Sequence, residues 1–112
     1  MMKMTEEKYT DVCGLILEGR FDAMTASVVE ERINNILNGG NYKLAIDMGK
    51  VEYISSAGLR ILLTALKKTK KEKGDLRLAG LTNPIKHVFD LAGFTQFFNI
   101  YPSFEEAVAS FQ

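Results

Sequence analysis

Lys43–Leu66 reads KLAIDMGKVEYISSAGLRILLTAL, and the change of rhythm inside it decides the fold class. Lys43–Met48 is a short apolar run; Gly49 and Lys50 interrupt it, and Val51, Tyr53 and Ile54 lead on to two adjacent hydroxyls. So short a run predicts a buried strand rather than a helix. From Ser55 or Ser56 onward the spacing turns helical. At about 100° per residue Leu59, Leu62, Leu63 and Leu66 form one stripe, while Ala57, Ile61 and Thr64 fall on the opposite side. That helix is predicted to end at Gly74.

The same alternation of strand and helix extends in both directions. Upstream, Val12–Glu18 is a second short apolar run closed by Gly19, and Lys3–Tyr9 is expected to pair with it through a turn at Asp11. Between Thr25 and Leu37, Ala26, Val29, Ile33, Ile36 and Leu37 recur at helical spacing, with a capping box expected at Ser27 and Glu30 and a stop at Gly39-Gly40. Downstream, Asp75–Ala79 alternates like a strand, and Asn83-Pro84 opens a helix that runs to Leu91 and stops at Gly93. Phe97–Tyr101 is expected as the last strand. Ser103 and Glu106 then cap a helix with Phe104, Ala107, Val108 and Phe111 on one face. The expectation is an α/β fold: a central mixed, mostly parallel β-sheet of four to five strands with about four α-helices and right-handed crossovers. No repeat, low-complexity stretch or linker divides residues 1–112, which read as a single domain.

Composition narrows the function. Lys and Arg total 14 and Asp and Glu total 14, so no global field draws the chain to nucleic acid or to an anionic membrane, and any partner is recognised by a local patch. The lysine-rich stretch Lys67–Lys73 complements the C-terminal end of its helix and reads as a solvated face. MMKMTEEKYTD carries charges where a signal peptide is apolar, and no segment approaches the ~18 apolar residues of a membrane span, so a cytoplasmic location is expected. Cys13, the only cysteine, is expected in the core. His87, the only histidine, is expected to face solvent and leaves a serine nucleophile without a base. The motifs of serine hydrolases, P-loops and dinucleotide-binding turns are absent, as are paired His or Cys ligands. Asp47 as a phosphoaspartate acceptor would need an acidic magnesium cluster that Glu18 and Asp22 do not make. The chain is therefore read as no enzyme, with no cofactor and no metal.

In sheets of this kind, functional residues gather outside the carboxyl ends of the strands. Two stretches qualify: Gly19-Arg20-Phe21-Asp22 and Gly49–Ser56, expected as loops on one rim. A serine at a helix start accepts a hydrogen bond from a free backbone N–H. A phosphate there meets unpaired donors and the positive end of the helix dipole. It also adds about −1.5 to −2 charges to any surface that a partner must desolvate, a switch that needs little motion. The plainer alternative is that Ser55 or Ser56 only caps the helix and that Ala57-Gly58 are small so that the helix packs close to the sheet. Ile61, placed away from the core by the helical wheel, is a candidate anchor for a partner.

These stretches together resemble the STAS domains of anti-sigma-factor antagonists. Gly19-Arg20-Phe21-Asp22 is similar to the family's Gly-x-Leu/Phe-Asp turn, Leu44–Met48 to its central strand, and Tyr53-Ile54-Ser55-Ser56-Ala57-Gly58-Leu59 to its phosphoacceptor motif; Asn83-Pro84 and Leu91-Ala92-Gly93-Phe94 resemble its later helix and loop. The resemblance implies partner switching. The unmodified antagonist binds an anti-sigma factor that is also a serine kinase and so frees a sigma factor. Phosphorylation ends that association, and a serine phosphatase restores it. By the same resemblance Ser56 matches the acceptor, with Ser55 as the alternate hydroxyl where many members carry Asp, and Asp22 helps shape the site. Asp22, Ser55, Ser56, Ala57, Gly58 and Ile61 are then the expected partner-binding residues. A second hypothesis is a nucleotide- or small-ligand-binding STAS domain, or a soluble subunit of a transporter complex.

Overall fold

The computed structural model describes residues 2–112. Its strands are β1 (Lys3–Lys8), β2 (Cys13–Phe21), β3 (Lys43–Ile54), β4 (Asp75–Ala79) and β5 (Asn99–Tyr101). The helices are α1 (Ala26–Asn38), α2 (Ser56–Lys71), α3 (Asn83–Ala92) and α4 (Phe104–Ala109), with a 3₁₀ turn at Thr95–Phe97. The strands lie in chain order in one five-stranded sheet; β1 runs antiparallel to β2 and every other neighbouring pair is parallel. This is the mixed, mostly parallel α/β arrangement that the alternating pattern predicts.

Strand periodicity assigns the two faces. Cys13, Leu15 and Leu17 of β2, Leu44, Ile46 and Met48 of β3, and Leu76 and Leu78 of β4 pack with apolar residues of α1, α2 and α3 in the main core. On the opposite face Val12, Ala45 and Ala79 meet Ala107 and Val108 of α4, with Tyr9, Tyr101, Phe104 and Phe111 around them. The small side chains of this second face let α4 sit close. A Cβ on Gly14 would lie 2.5 Å from the Phe104 ring. Among the described residues no helix is long and apolar enough to cross a membrane.

Several local expectations need correction. Gly19-Arg20-Phe21 and Gly49–Ile54 are not loops: β2 continues to Phe21 and β3 to Ile54, and Arg20 pairs with Tyr53 and Phe21 with Ile54. Register shifts at Ile16/Glu18 and Gly19/Arg20 break the period-2 alternation on which strand recognition rests. The capping box expected at Ser27 and Glu30 does not form, because α1 begins one residue before Ser27 and its N-cap is Thr25. The helix cap at Asn83 moves to Thr82. Phe97 lies in the 3₁₀ turn, which leaves the last strand only three residues.

Helix α2 stops at Lys71, and the left-handed residue that follows is Lys73, with φ 64°, not Gly74. Gly74 serves a different need. A Cβ there would lie 1.9 Å from the Tyr42 carbonyl oxygen.

Candidate functional site

Because β2 and β3 are parallel neighbours, their carboxyl ends open on the same rim. The Ser55 N–H donates to the Phe21 carbonyl at 2.9 Å, which ties the start of α2 to the last residue of β2 and puts Asp22 beside the two serines. The hydroxyls then have separate roles. Ser55 is extended and is the N-cap; its Oγ accepts the Gly58 N–H at 3.2 Å. Ser56 is the first residue of α2 and is exposed. The first turn of α2 carries no acidic side chain, so apart from the Ser55 cap on the Gly58 N–H no negative group of the helix itself offsets its positive dipole end.

Asp22 is fixed from several sides. Its Oδ1 accepts the N–H groups of Met24 at 3.0 Å and Thr25 at 3.1 Å, and its carbonyl accepts the Ala26 N–H at 2.9 Å. The Thr25 hydroxyl donates to the Arg20 carbonyl at 2.7 Å and accepts the Asp22 N–H at 2.9 Å. The chain between β2 and α1 is thus closed by Asp22 in place of the expected capping box. Desolvation pushes the Asp22 carboxyl up; the N–H groups of Thr25 and Met24, the Thr25 hydroxyl and the Arg20 cation outweigh it and hold the group below its ordinary value of 3.8.

Arg20 adds a feature invisible before the register was known. Its Nε lies 3.6 Å from Asp22 Oδ2, and its guanidinium carbon lies 4.4 Å from the centre of the Tyr53 ring. Arg20 and Tyr53 oppose each other across the extended ends of β2 and β3. A cation stacked on an aromatic face and a fixed carboxylate therefore border the serines.

Three residues expected at a partner surface are placed differently. Gly58 is buried: a Cβ would lie 3.0 Å from Ile54 Cγ1, from Phe21 Cδ1 and from the Phe21 carbonyl oxygen, so its smallness lets α2 rest directly on the strand ends. Ala57 and Ile61 are half-buried against the main core. Ile61 does face away from the sheet, but α1 occupies that side, and Ile61 lies in the crevice with Ile33 and Asn34. Elsewhere, His87 is exposed and Cys13 is buried. Burial, and then Glu6, push the Cys13 thiol up against the opposing pull of Lys8, which leaves it an unreactive core residue.

The family model described as "STAS domain" matches residues 3–107. BtrV of Bordetella bronchiseptica, a candidate anti-sigma factor antagonist, is 32% identical over 111 residues, covering 99% of this chain and 96% of that protein. The anti-sigma-B factor antagonist of Listeria monocytogenes is 28% identical over 95 residues, covering 85% of this chain and 83% of the relative. Among solved structures, a candidate anti-sigma factor antagonist of Thermotoga maritima superposes with a TM-score of 0.90 at 21% identity, over 96% of this chain and 92% of the other, a likeness of fold.

Proposed function

The chain belongs to the STAS domain family, and on that premise we propose that it is an anti-sigma factor antagonist whose association with its partner is gated by phosphorylation of Ser56. In this reading the partner is an anti-sigma factor that is also a serine kinase. The unmodified antagonist binds it and releases a sigma factor in the cytoplasm; a serine phosphatase resets the switch. The names of the Bordetella and Listeria relatives support the antagonist role.

The observation that carries the choice of Ser56 is the division between the two hydroxyls. Ser55 is engaged as the cap of α2, while Ser56 is exposed one residue later, at the positive end of a helix with no acidic first turn. A kinase reaches Ser56 without unwinding the helix. A phosphate there puts its charge where a partner must cover the rim, so association is lost through electrostatics.

The test is calorimetry of wild type, Ser56→Ala and Ser56→Asp against purified anti-sigma-factor kinases in the presence of ADP. Wild type and Ser56→Ala should bind alike, and Ser56→Asp should bind at least about tenfold more weakly, or ~1.4 kcal/mol. Mass spectrometry after incubation with kinase and ATP should find the phosphate on Ser56. Equal binding by all three proteins, binding by none, or phosphate confined to Ser55 would overturn the proposal.

A further inference from the structure

Beside the serines the surface opens into an apolar hollow of about 410 Å³, lined by Met2, Asp22, Met24, Thr25 and Val28. Its walls come from three elements: Met2 precedes β1, whose first residue pairs with Glu18 near the end of β2; Met24 lies in the β2–α1 turn; Val28 lies on the first turn of α1. The exposure of these side chains is unusual for this chain. Among the described residues the exposed large apolar side chains are Met24 (87%), Val28 (49%), Tyr53 (42%), Leu91 and Phe97. The first two border the hollow, and Tyr53 lies under Arg20 at the end of β3, two residues before Ser55.

We propose that this hollow receives an apolar side chain of the same protein that reads Ser56, so that one partner covers the phosphoacceptor and the hollow together; this rests on the function proposed above. Continuity is the first ground. Ser55 is bonded to Phe21, Asp22 follows Phe21, and the Met24 N–H lies 3.0 Å from the Asp22 carboxylate, so Asp22, a wall of the hollow, directly follows the residue that anchors the start of α2. Area is the second. A stable protein interface buries about 800 Å² on each side, a footprint of roughly 16 Å radius. A partner centred on Ser56 with such a footprint extends over the neighbouring strand end and the turn that follows it.

Chemistry is the third ground. Interface centres are enriched in aromatic residues, Met and Arg, and Tyr53, Met24 and Arg20 stand around Asp22 and the serines. A methionine is unbranched and adapts its shape to the group it meets. The one carboxylate in the wall is already bonded to backbone donors and faces Arg20, so an apolar occupant meets no unpaired charge. The hollow therefore sets affinity, while Ser56 sets whether that affinity is expressed.

The experiment measures affinity for the anti-sigma-factor kinase with Met24→Glu, Val28→Glu and, as a control on the exposed apolar residue of α3, Leu91→Glu. Met24 and Leu91 are exposed enough for these changes to leave the fold intact, which circular dichroism and thermal melting check. Met24→Glu and Val28→Glu should each weaken binding about tenfold or more, as loss of an interface anchor does, and Leu91→Glu should bind like wild type. If wild type binds and the hollow variants bind equally well, the hollow is not part of the interface, whereas Ser56 gating stands or falls by its own variants. Equal weakening by Leu91→Glu would overturn the assignment as well, and absence of binding by wild type would remove the functional reading and the hollow with it.

Discussion

Asp22 is the residue through which the rim is assembled, and its ionisation is part of that assembly. Its carboxylate accepts the Met24 and Thr25 N–H groups and faces Arg20, so the charged form is favoured in the fold and the group lies below 3.8. A depressed carboxyl contributes stability that is complete above its unfolded value and is lost as pH falls through the folded one. The amide resonances of Met24 and Thr25 should therefore shift together as pH falls, with a common midpoint below 3.8. A midpoint at or above 3.8 would mean that the desolvation cost wins and that the carboxylate is not fixed. The importance of this residue was partly legible in the sequence, since it closes the Gly19-Arg20-Phe21-Asp22 motif. Its capping role was not. Ser27 and Glu30 have the spacing of a capping box, but such a box works only with its serine at the N-cap, and the N-cap of α1 is Thr25, two residues earlier. The serine pair was legible as a pair, whereas assigning Ser55 to the cap required the Ser55–Gly58 hydrogen bond.

At the scale of elements, the order of strands and helices could be read because each buries one apolar stripe, but the ends of elements depend on neighbours. β2 and β3 continue past the points where their alternation fades because each completes the other: Arg20 pairs with Tyr53 and Phe21 with Ile54 only after a bulge at Gly19, whose φ is 112°. A single strand taken alone shows no such signal. The C-terminal end of α2 shows the same dependence. Gly74 has the position of a helix-ending glycine, yet the left-handed step is made by Lys73, and Gly74 is required because the chain passes directly against the backbone before β3. The Asp75 N–H donates to the same Tyr42 carbonyl at 3.0 Å, so the contact holds β4 in register. Gly74→Ala drives a Cβ into backbone that has no rotamer to escape by. Its expected cost is about 3 kcal/mol, the upper part of the range for overpacked sites. Urea unfolding should show this as a lower midpoint with an unchanged slope. A loss below about 1 kcal/mol would show that Tyr42 moves aside easily, since that is the lower limit of the overpacking range.

For the whole molecule the two faces of the sheet are unequal: α1, α2 and α3 cover one, and the six residues of α4 cover the other. The stripe of Phe104, Ala107, Val108 and Phe111 was visible in sequence, but which face it would cover was not, because Gly14, Ala45 and Ala79 are too small to announce a packing surface. So short a helix is held by more than its apolar contacts. Arg77 of β4 donates to the Ser110 carbonyl at 2.8 Å and lies 4.1 Å from the centre of the Phe111 ring. It also pairs through Nε with Asp75 at 2.9 Å. Asp75 is only 8% exposed, and its carboxylate also accepts the Leu76 N–H at 2.9 Å and the Asn99 side-chain amide at 3.1 Å, with Lys70 at 3.8 Å. Removing one partner of a buried pair costs about 3–5 kcal/mol because the remaining charge is stranded, whereas an exposed pair contributes about 1 kcal/mol or less. Arg77→Ala should fall near the lower end of the first range, since Lys70 and Asn99 remain. Asp75→Asn combined with Arg77→Ala should recover part of the loss, because the stranded charge is then gone. This network sits where the strands begin, and the serines sit where they end, so protein that stays folded should keep wild-type affinity at the rim. Calorimetry below the lowered melting temperature separates the two effects: unchanged affinity with reduced stability means that α4 supports the fold alone, and weakened affinity would mean that the rim and the second face are coupled through the sheet.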